Sequence, residues 1–278
     1  MMISRITDLS RAPRIPVLAV LLSFGLPAMA QAQMVSPPAP RLQLDVPYVP
    51  TPTDVVARML EMGDVGEEDF VIDLGSGDGR IAIAAVKERG AKGALGVDLN
   101  PERIHEAREN AQKAGVTDKV TFERQNLFDT DLGKATVITM YLLEAVNAKL
   151  RPTLLGLEPG TRIVSHAFSL GDWEPDQQAD VGGRVVYMWT VPARVDGRWT
   201  LTDGEERLTL DLKQSFQKVE ANATAAGKPM AVKDVKLSGD LIELTLEGSG
   251  GARTFTGTIN GNAITPAGGS ATWKAARG

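Results

Sequence analysis

The chain has 278 residues, 43% of them hydrophobic, a formal net charge of −5 and no cysteine. That length and apolar content can fill two cores, and the lack of cysteine excludes disulfides, thiolate metal sites and cysteine nucleophiles. An acidic chain without a basic cluster is poorly suited to nucleic acid, so no nucleic-acid partner is expected. In chain order, residues 1–30 read as a signal peptide: Arg5, Arg11 and Arg14 precede a mostly apolar stretch from Ile15 to Ala30, and both Ala28-Met29-Ala30 and Ala30-Gln31-Ala32 are small-x-small cleavage sites. The stretch is short for a membrane span and holds Pro16 and Pro27, so no stable span is expected, and the arginines are not twinned, which favours the general secretory route to the periplasm or beyond. Removing it leaves a charge near −7. Residues 31–46, with Pro37, Pro38 and Pro40, form a Pro-rich linker.

Residues 47–193 read as an α/β domain. In P-Y-V-P-T-P-T-D-V-V-A-R-M-L at 47–60, Thr51 is placed as a helix cap with Pro52 at the first helical position and Asp54 in the first turn, and Val55, Val56, Met59 and Leu60 make a docking face. The apolar strand F-V-I-D-L at 70–74 ends in Asp73, and Gly75, Gly77 and Gly79 follow before a helix from Ile81. Glycines at alternate positions let a backbone turn sharply and approach a ligand, and this place between strand and helix is where open α/β sheets bind nucleotides. The dinucleotide fingerprint would put its third glycine where Arg80 stands. A second strand at 93–99 ends in Asp98, about twenty residues beyond the loop, where a carboxylate meets ribose hydroxyls. Asn100, Pro101 and Glu102 open a helix that buries Ile104, Ala107, Ala111 and Ala114, and Gly115 stops it. A third strand at 119–124 leads to Gln125-Asn126-Leu127-Phe128, and a fourth at 135–143 places Tyr141 near its carboxyl end. This alternation predicts a parallel, doubly wound sheet.

After Val191-Pro192 the composition changes. Residues 194–278 predict a small antiparallel β-domain, a sandwich or half-barrel, from strands at 198–202, 206–212, 240–246 and 254–259, with turns at Ser238-Gly239-Asp240 and Asn260-Gly261. Nothing in it carries a chemical motif. His105 lies on the exposed side of its helix, whereas His166 follows the strand R-I-V-S and either contacts substrate or makes a structural hydrogen bond. No metal-ligand spacing is present. Ser76, with glycines adjacent to it, lacks the nucleophile-elbow pattern.

The acid-then-G-x-G-x-G order at 73–79 resembles motif I of class I S-adenosylmethionine-dependent methyltransferases. With the P-Y-V-P-T-P lead-in, R-I at 80–81, R-I-V-S-H-A-F at 162–168 and G-D-W at 171–173, residues 47–189 look like the seven-strand group that includes the mitochondrial protein-lysine methyltransferases of the ATP synthase c-subunit and the adenine nucleotide translocase. The resemblance implies a Rossmann-like seven-strand sheet and S-adenosylmethionine as cofactor. It places the cofactor against Asp73, Gly75, Ser76, Gly77, Asp78 and Gly79, with Asp98 on the ribose, Asn126 and Leu127 at the adenine, and Tyr48 and Thr51 closing over the methionine end. An acidic strand end suits a sulfonium and an ammonium. Tyr141 is the candidate catalytic residue, orienting the nucleophile, with Trp173 and Trp189 either lining the acceptor pocket or packing in core or interface. The acceptor is a protein lysine or a small molecule. Export conflicts with a cofactor made in the cytoplasm, which leaves open both cytoplasmic action and an alternative reading, an exported non-catalytic binding protein that keeps the fold.

Overall fold

Residues 48–248, 250–269 and 271–278 are described by a computed structural model; the signal peptide and linker read from residues 1–46 lie outside them. Helix α1 (Thr53–Met62) buries Val55, Val56, Met59 and Leu60. It starts one residue later than its sequence suggests: Pro52 is the cap, and Thr51 stands ahead of it with no capping bond. The Thr51 hydroxyl is engaged elsewhere, 3.3 Å from His166 Nδ1.

The chain then alternates through β1 (Phe70–Leu74), α2 (Arg80–Arg89), β2 (Gly93–Asp98), α3 (Pro101–Ala114), β3 (Val120–Arg124), β4 (Val137–Met140), α4 (Glu144–Leu154) and β5 (Arg162–His166). Asn100 caps α3 by accepting from Glu102 N–H, with Pro101 in the first turn and left-handed Gly115 at the end. Two further strands, β6 (Gln177–Val181) and β7 (Arg184–Thr190), complete a seven-strand sheet in the order β3-β2-β1-β4-β5-β7-β6. β1 to β5 run parallel, and β7 runs antiparallel to both β5 and β6. Strand order reverses between β1 and β4, so a crevice opens at their carboxyl ends. Apolar layers cover both faces: Val55, Met59 and Ala82 on one, Leu150, Leu154 and Trp189 on the other.

The remaining strands are β8 (Gly197–Asp203), β9 (Glu206–Ser215), β10 (Lys218–Ala225), β11 (Lys228–Ser238), β12 (Leu241–Gly248), β13 (Gly251–Asn260), β14 (Ala263–Pro266) and β15 (Lys274–Arg277). They form a closed antiparallel barrel, a fuller structure than the sandwich or half-barrel read from four segments. Closure depends on β15 pairing with β8, Ala275 opposite Leu201, a contact that no local pattern announces. Asn260 ends β13 opposite Ala263, which moves that hairpin turn to Gly261-Asn262. Trp199, Leu208 and Leu246 are fully buried among the barrel's apolar side chains.

The β9–β10 turn joins the two halves. Phe216 stacks on Trp173 at 6.0 Å, and Gln217 accepts from the Trp173 indole N–H at 3.0 Å while donating to Glu174 O at 2.8 Å. Trp189 donates to Trp173 O at 2.8 Å. Both tryptophans are wholly buried in this junction, so the structure assigns them to core and interface and not to an acceptor pocket.

Candidate active site

The crevice is built from the turn after β1. Gly75, Gly77 and Gly79 all have positive φ, at 76°, 52° and 81°. At Gly77 a Cβ would lie 2.4 Å from the Tyr48 ring, so the turn needs glycine for the lead-in segment to lie over it. Gly79 differs from the other loop residues named in the sequence. Its missing Cβ leaves room for Phe122 and Ala107, so it packs α2 on α3 and β3 and does not line the cavity. Tyr48, Thr51, Asp73, Gly75, Ser76, Gly77, Asp78, Asp98, Asn126, Leu127 and Tyr141 are brought together around one cavity.

At its floor Asp73 is 2% exposed. Its Oδ1 accepts from the Thr139 hydroxyl at 2.7 Å, while Oδ2 has no partner among the described residues. Burial, reinforced by Asp78 and Asp98 nearby and opposed by the Thr139 bond, pushes the carboxyl up to about 7. A buried carboxylate oxygen without a donor is costly unless a cation or donor arrives from the cavity. Ser76 Oγ beside it is likewise unpartnered. Such a floor fits a ligand that brings an ammonium and a sulfonium.

Asp98 holds the turn in place, accepting from Gly77 N–H at 3.0 Å and Asn100 N–H at 2.8 Å. Each oxygen retains a lone pair for a ligand hydroxyl. Asn126 caps a short 3-10 turn (Leu127–Asp129) by accepting from Phe128 N–H at 3.1 Å, and Leu127 and Phe128 give that wall an apolar surface. Asp78 pairs with Arg80 at 2.5 Å, and Arg80 also donates to Thr51 O at 2.9 Å, which fastens the lead-in segment to the glycine turn. The guanidinium holds the Asp78 carboxyl below the usual range against the opposing effect of burial. Arg103 stacks over the Tyr48 ring at 4.6 Å. Neither link was legible in the sequence, because Arg80 reaches across 29 residues and Arg103 looks like any solvated helix cation.

Tyr141 follows β4 and walls a second cavity as well, together with Val49, Pro50, His166 and Arg184. Its ring centroid lies 4.0 Å from that of His166 and 6.1 Å from that of Phe168. Asn147, wholly buried on α4, donates to Phe168 O and Ser169 O at 3.2 and 3.1 Å, fixing the loop after β5. His105 is far less constrained, with 78% of its side chain exposed beside Glu109.

A doubly wound sheet with an acidic β1 end, a three-glycine turn and an acidic β2 end defines a class I S-adenosylmethionine-dependent methyltransferase. Residues 73–177 match the ANTKMT methyltransferase domain. A protein-lysine N-methyltransferase of Saccharolobus islandicus is 47% identical over 151 residues, spanning 52% of this chain and 94% of that protein. The adenine nucleotide translocase lysine N-methyltransferase of Mus musculus is 36% identical over 135 residues, 48% of this chain and 58% of that protein. A crystal structure described as an RNA methyltransferase from Salinibacter ruber, in complex with S-adenosyl-L-homocysteine, shares 51% identity at a TM-score of 0.52, covering 53% of this chain and 96% of that one. The chain belongs to this family of methyltransferases, and S-adenosylmethionine is its cofactor. The domain match ends at residue 177, before the barrel begins.

Proposed function

We propose that the enzyme methylates the ε-amine of a lysine in a protein acceptor, and that it acts after export, with residues 1–30 removed. The observation that carries the acceptor reading is the position of Tyr141, which is shared by the cofactor cavity and a second cavity walled by Val49, Pro50 and His166. S-adenosylmethionine supplies a methyl carbon already activated by its sulfonium. Alignment of nucleophile and methyl is the main task left to the protein. Asp73 and Ser76 receive the cationic end, Gly75 and Gly77 allow close approach, Asp98 holds the ribose, and Asn126 and Leu127 hold the adenine. Tyr48 and Thr51 cover the methionine end, with Asp78 acting through Arg80 to fix them. Tyr141 orients the incoming amine.

A macromolecular acceptor is favoured by the rim. Of the five exposed large apolar side chains among the described residues, Tyr48, Val49 and Phe128 line the cofactor cavity and Leu143 adjoins Leu142 in its wall. Apolar exposure gathered at an active-site mouth marks a docking surface. The names of two relatives specify lysine, whereas the Salinibacter ruber protein is described as acting on RNA. The net charge of −5 favours protein over a polyanion. Labelled-methyl transfer to lysine-bearing polypeptides and to RNA in parallel, followed by hydrolysis, is expected to yield methyl-lysine; label confined to nucleosides would overturn the reading. Tyr141→Phe should slow transfer by about 100-fold, equivalent to roughly 2.7 kcal/mol, with S-adenosylhomocysteine affinity unchanged. Full activity in that variant would reduce Tyr141 to packing. Amino-terminal sequencing of the protein from the exported fraction is expected to begin near Gln31 or Gln33, and an intact Met1 there would contradict processing.

A further inference from the structure

We propose that the second cavity is the entry for the acceptor amine and that His166 Nε2 there receives the proton the amine must lose before transfer. This rests on the lysine reading above and assigns a base to it. His166 ends β5, beside Tyr141, and is 3% exposed. Its Nδ1 lies 3.3 Å from Thr51 Oγ1; in the tautomer the proposal requires, Nδ1–H donates to that hydroxyl and Nε2, which has no hydrogen-bond partner among the described residues, keeps its lone pair on a ring that lines the cavity. A buried imidazole with one nitrogen fixed and the other presented to a cavity is the arrangement a positioned base requires.

The turn that follows His166 is built to hold it there. Ala167 has φ of 65°, an uncommon left-handed conformation for a residue with a Cβ. Three bonds hold it: Ala167 N–H to Val185 O at 2.7 Å, Phe168 N–H to His166 O at 2.8 Å, and the Ser165 hydroxyl to Phe168 O at 2.6 Å. These bonds hold the turn against its strain and so fix the ring that packs on Tyr141 in the wall of the second cavity.

The groups facing the imidazole come from three other elements: Thr51 from the lead-in segment, Tyr141 from the end of β4, and Arg184 from β7. Arg184 is the charged side chain in the cavity wall, and no carboxylate lines it among the described residues. Burial, and then Arg184, hold His166 below the usual histidine range, so it is neutral near pH 7. The same apolar, cation-bearing wall disfavours an ammonium. An entering R–NH3+ breaks one N–H bond, and that proton goes to the Nε2 lone pair, giving imidazolium. The freed amine lone pair forms the N–C bond as the methyl carbon's bond to sulfur breaks, its electron pair remaining on sulfur. The product leaves as a methylammonium, and the imidazolium returns its proton to water.

The chain has two histidines, so both ring signals can be followed by NMR in histidine-labelled full-length protein. Adding n-butylamine, a mimic of the lysine tail, is expected to shift the His166 signals and leave those of His105 in place. With poly-L-lysine as acceptor and S-adenosylmethionine held saturating at every pH, so that the Asp73-linked change in cofactor affinity does not enter, wild-type kcat/KM for the acceptor should fall at acidic pH through the pKa that NMR reads for His166. His166→Gln should lose that limb and about 10²–10⁴-fold of kcat/KM while binding S-adenosylhomocysteine normally. Should His166→Gln fail to bind it, Thr51→Val replaces it as the variant: it keeps the imidazole, and is expected to mix the two tautomers in the NMR spectrum and lower kcat. No methyl-lysine from wild-type enzyme on poly-L-lysine or on lysine-bearing peptides would overturn the lysine reading and this proposal with it. An active wild type, with the pH profile intact in His166→Gln or the tautomer and kcat unchanged in Thr51→Val, would overturn the proposal alone.

Discussion

The α/β half and the barrel keep polar groups in opposite ways. Among the described residues, every buried polar or charged side chain lies between Thr51 and His166, and the barrel interior contains none. The buried side-chain atoms without a partner among the described residues, on Asp73, Ser76, Arg89 and Asn147, also belong to the α/β half. A buried polar group costs stability unless it is paired, so its retention marks where binding or chemistry is organised. The barrel is a filled apolar interior behind a polar outer face, as β9 shows with Leu208, Leu210 and Leu212 buried in alternation. It meets the α/β half at the junction where Phe216 and Gln217 contact Trp173.

That division can be broken experimentally. Leu246→Ala removes a fully buried side chain from the barrel and should lower stability by about 2–5 kcal/mol. S-adenosylhomocysteine affinity, measured well below the melting temperature, should not change; a parallel loss of affinity would show that the barrel shapes the cofactor cavity. Asp73→Asn makes the opposite test. It removes the charge that faces the cofactor while keeping the shape, and is expected to weaken binding by at least about 100-fold, or roughly 2.7 kcal/mol. Because the carboxylate is costly to bury in the free protein, the variant should melt no lower than wild type at pH 8. Unchanged affinity would remove Asp73 from the site.

The two halves also differ in how far their sequence discloses them. Parallel strands and their helices are local units, so Phe70–Leu74, the glycine turn, Asn100 at its cap and the Asp98 strand end were readable one after another. The residues around the cofactor cavity belong to those units. His166 had two open readings, because its meaning depends on Thr51, 115 residues away, and on Arg184 across β7. In the barrel, K-V-E-A-N-A-T-A at 218–225 has no aromatic residue and only Val219 and Thr224 as β-branched ones, a weak strand signal, and it is a strand because β9 pairs along its whole length. Thr51 misled for a related reason: its residue type suits a cap, but a tertiary hydrogen bond won.

Asp98→Ala narrows the comparison within the site. It removes an acceptor for ligand hydroxyls and also the two backbone bonds that hold Gly77 and Asn100. Loss of charge-assisted bonds of about 1.5–3 kcal/mol predicts roughly 10- to 100-fold weaker cofactor binding. Asp98→Asn should recover part of it if the turn alone is at stake, because the amide oxygen still accepts from Gly77 N–H. Equal losses in both variants would assign the effect to the carboxylate's contact with the ligand.

The smallest expected effect is a pH dependence of cofactor binding, and it follows from Asp73. Burial raises this carboxyl to about 7 in the free protein. A folded pKa raised above the unfolded value contributes stability that is present below the ordinary carboxylate range and lost as pH rises through about 7. A bound cation reverses that preference, because it favours the ionised form. Binding below pH 7 must therefore release a proton from Asp73, and affinity should fall by up to about tenfold for each pH unit between 7 and 5.5. Calorimetry in buffers of different ionisation enthalpy would detect the released proton directly. Asp73→Asn should flatten the dependence and abolish the proton release, while Leu246→Ala in the barrel should leave both as they are. A dependence that survives in Asp73→Asn would mean that another group titrates with binding, and the cation-binding floor of the cavity would have to be placed elsewhere.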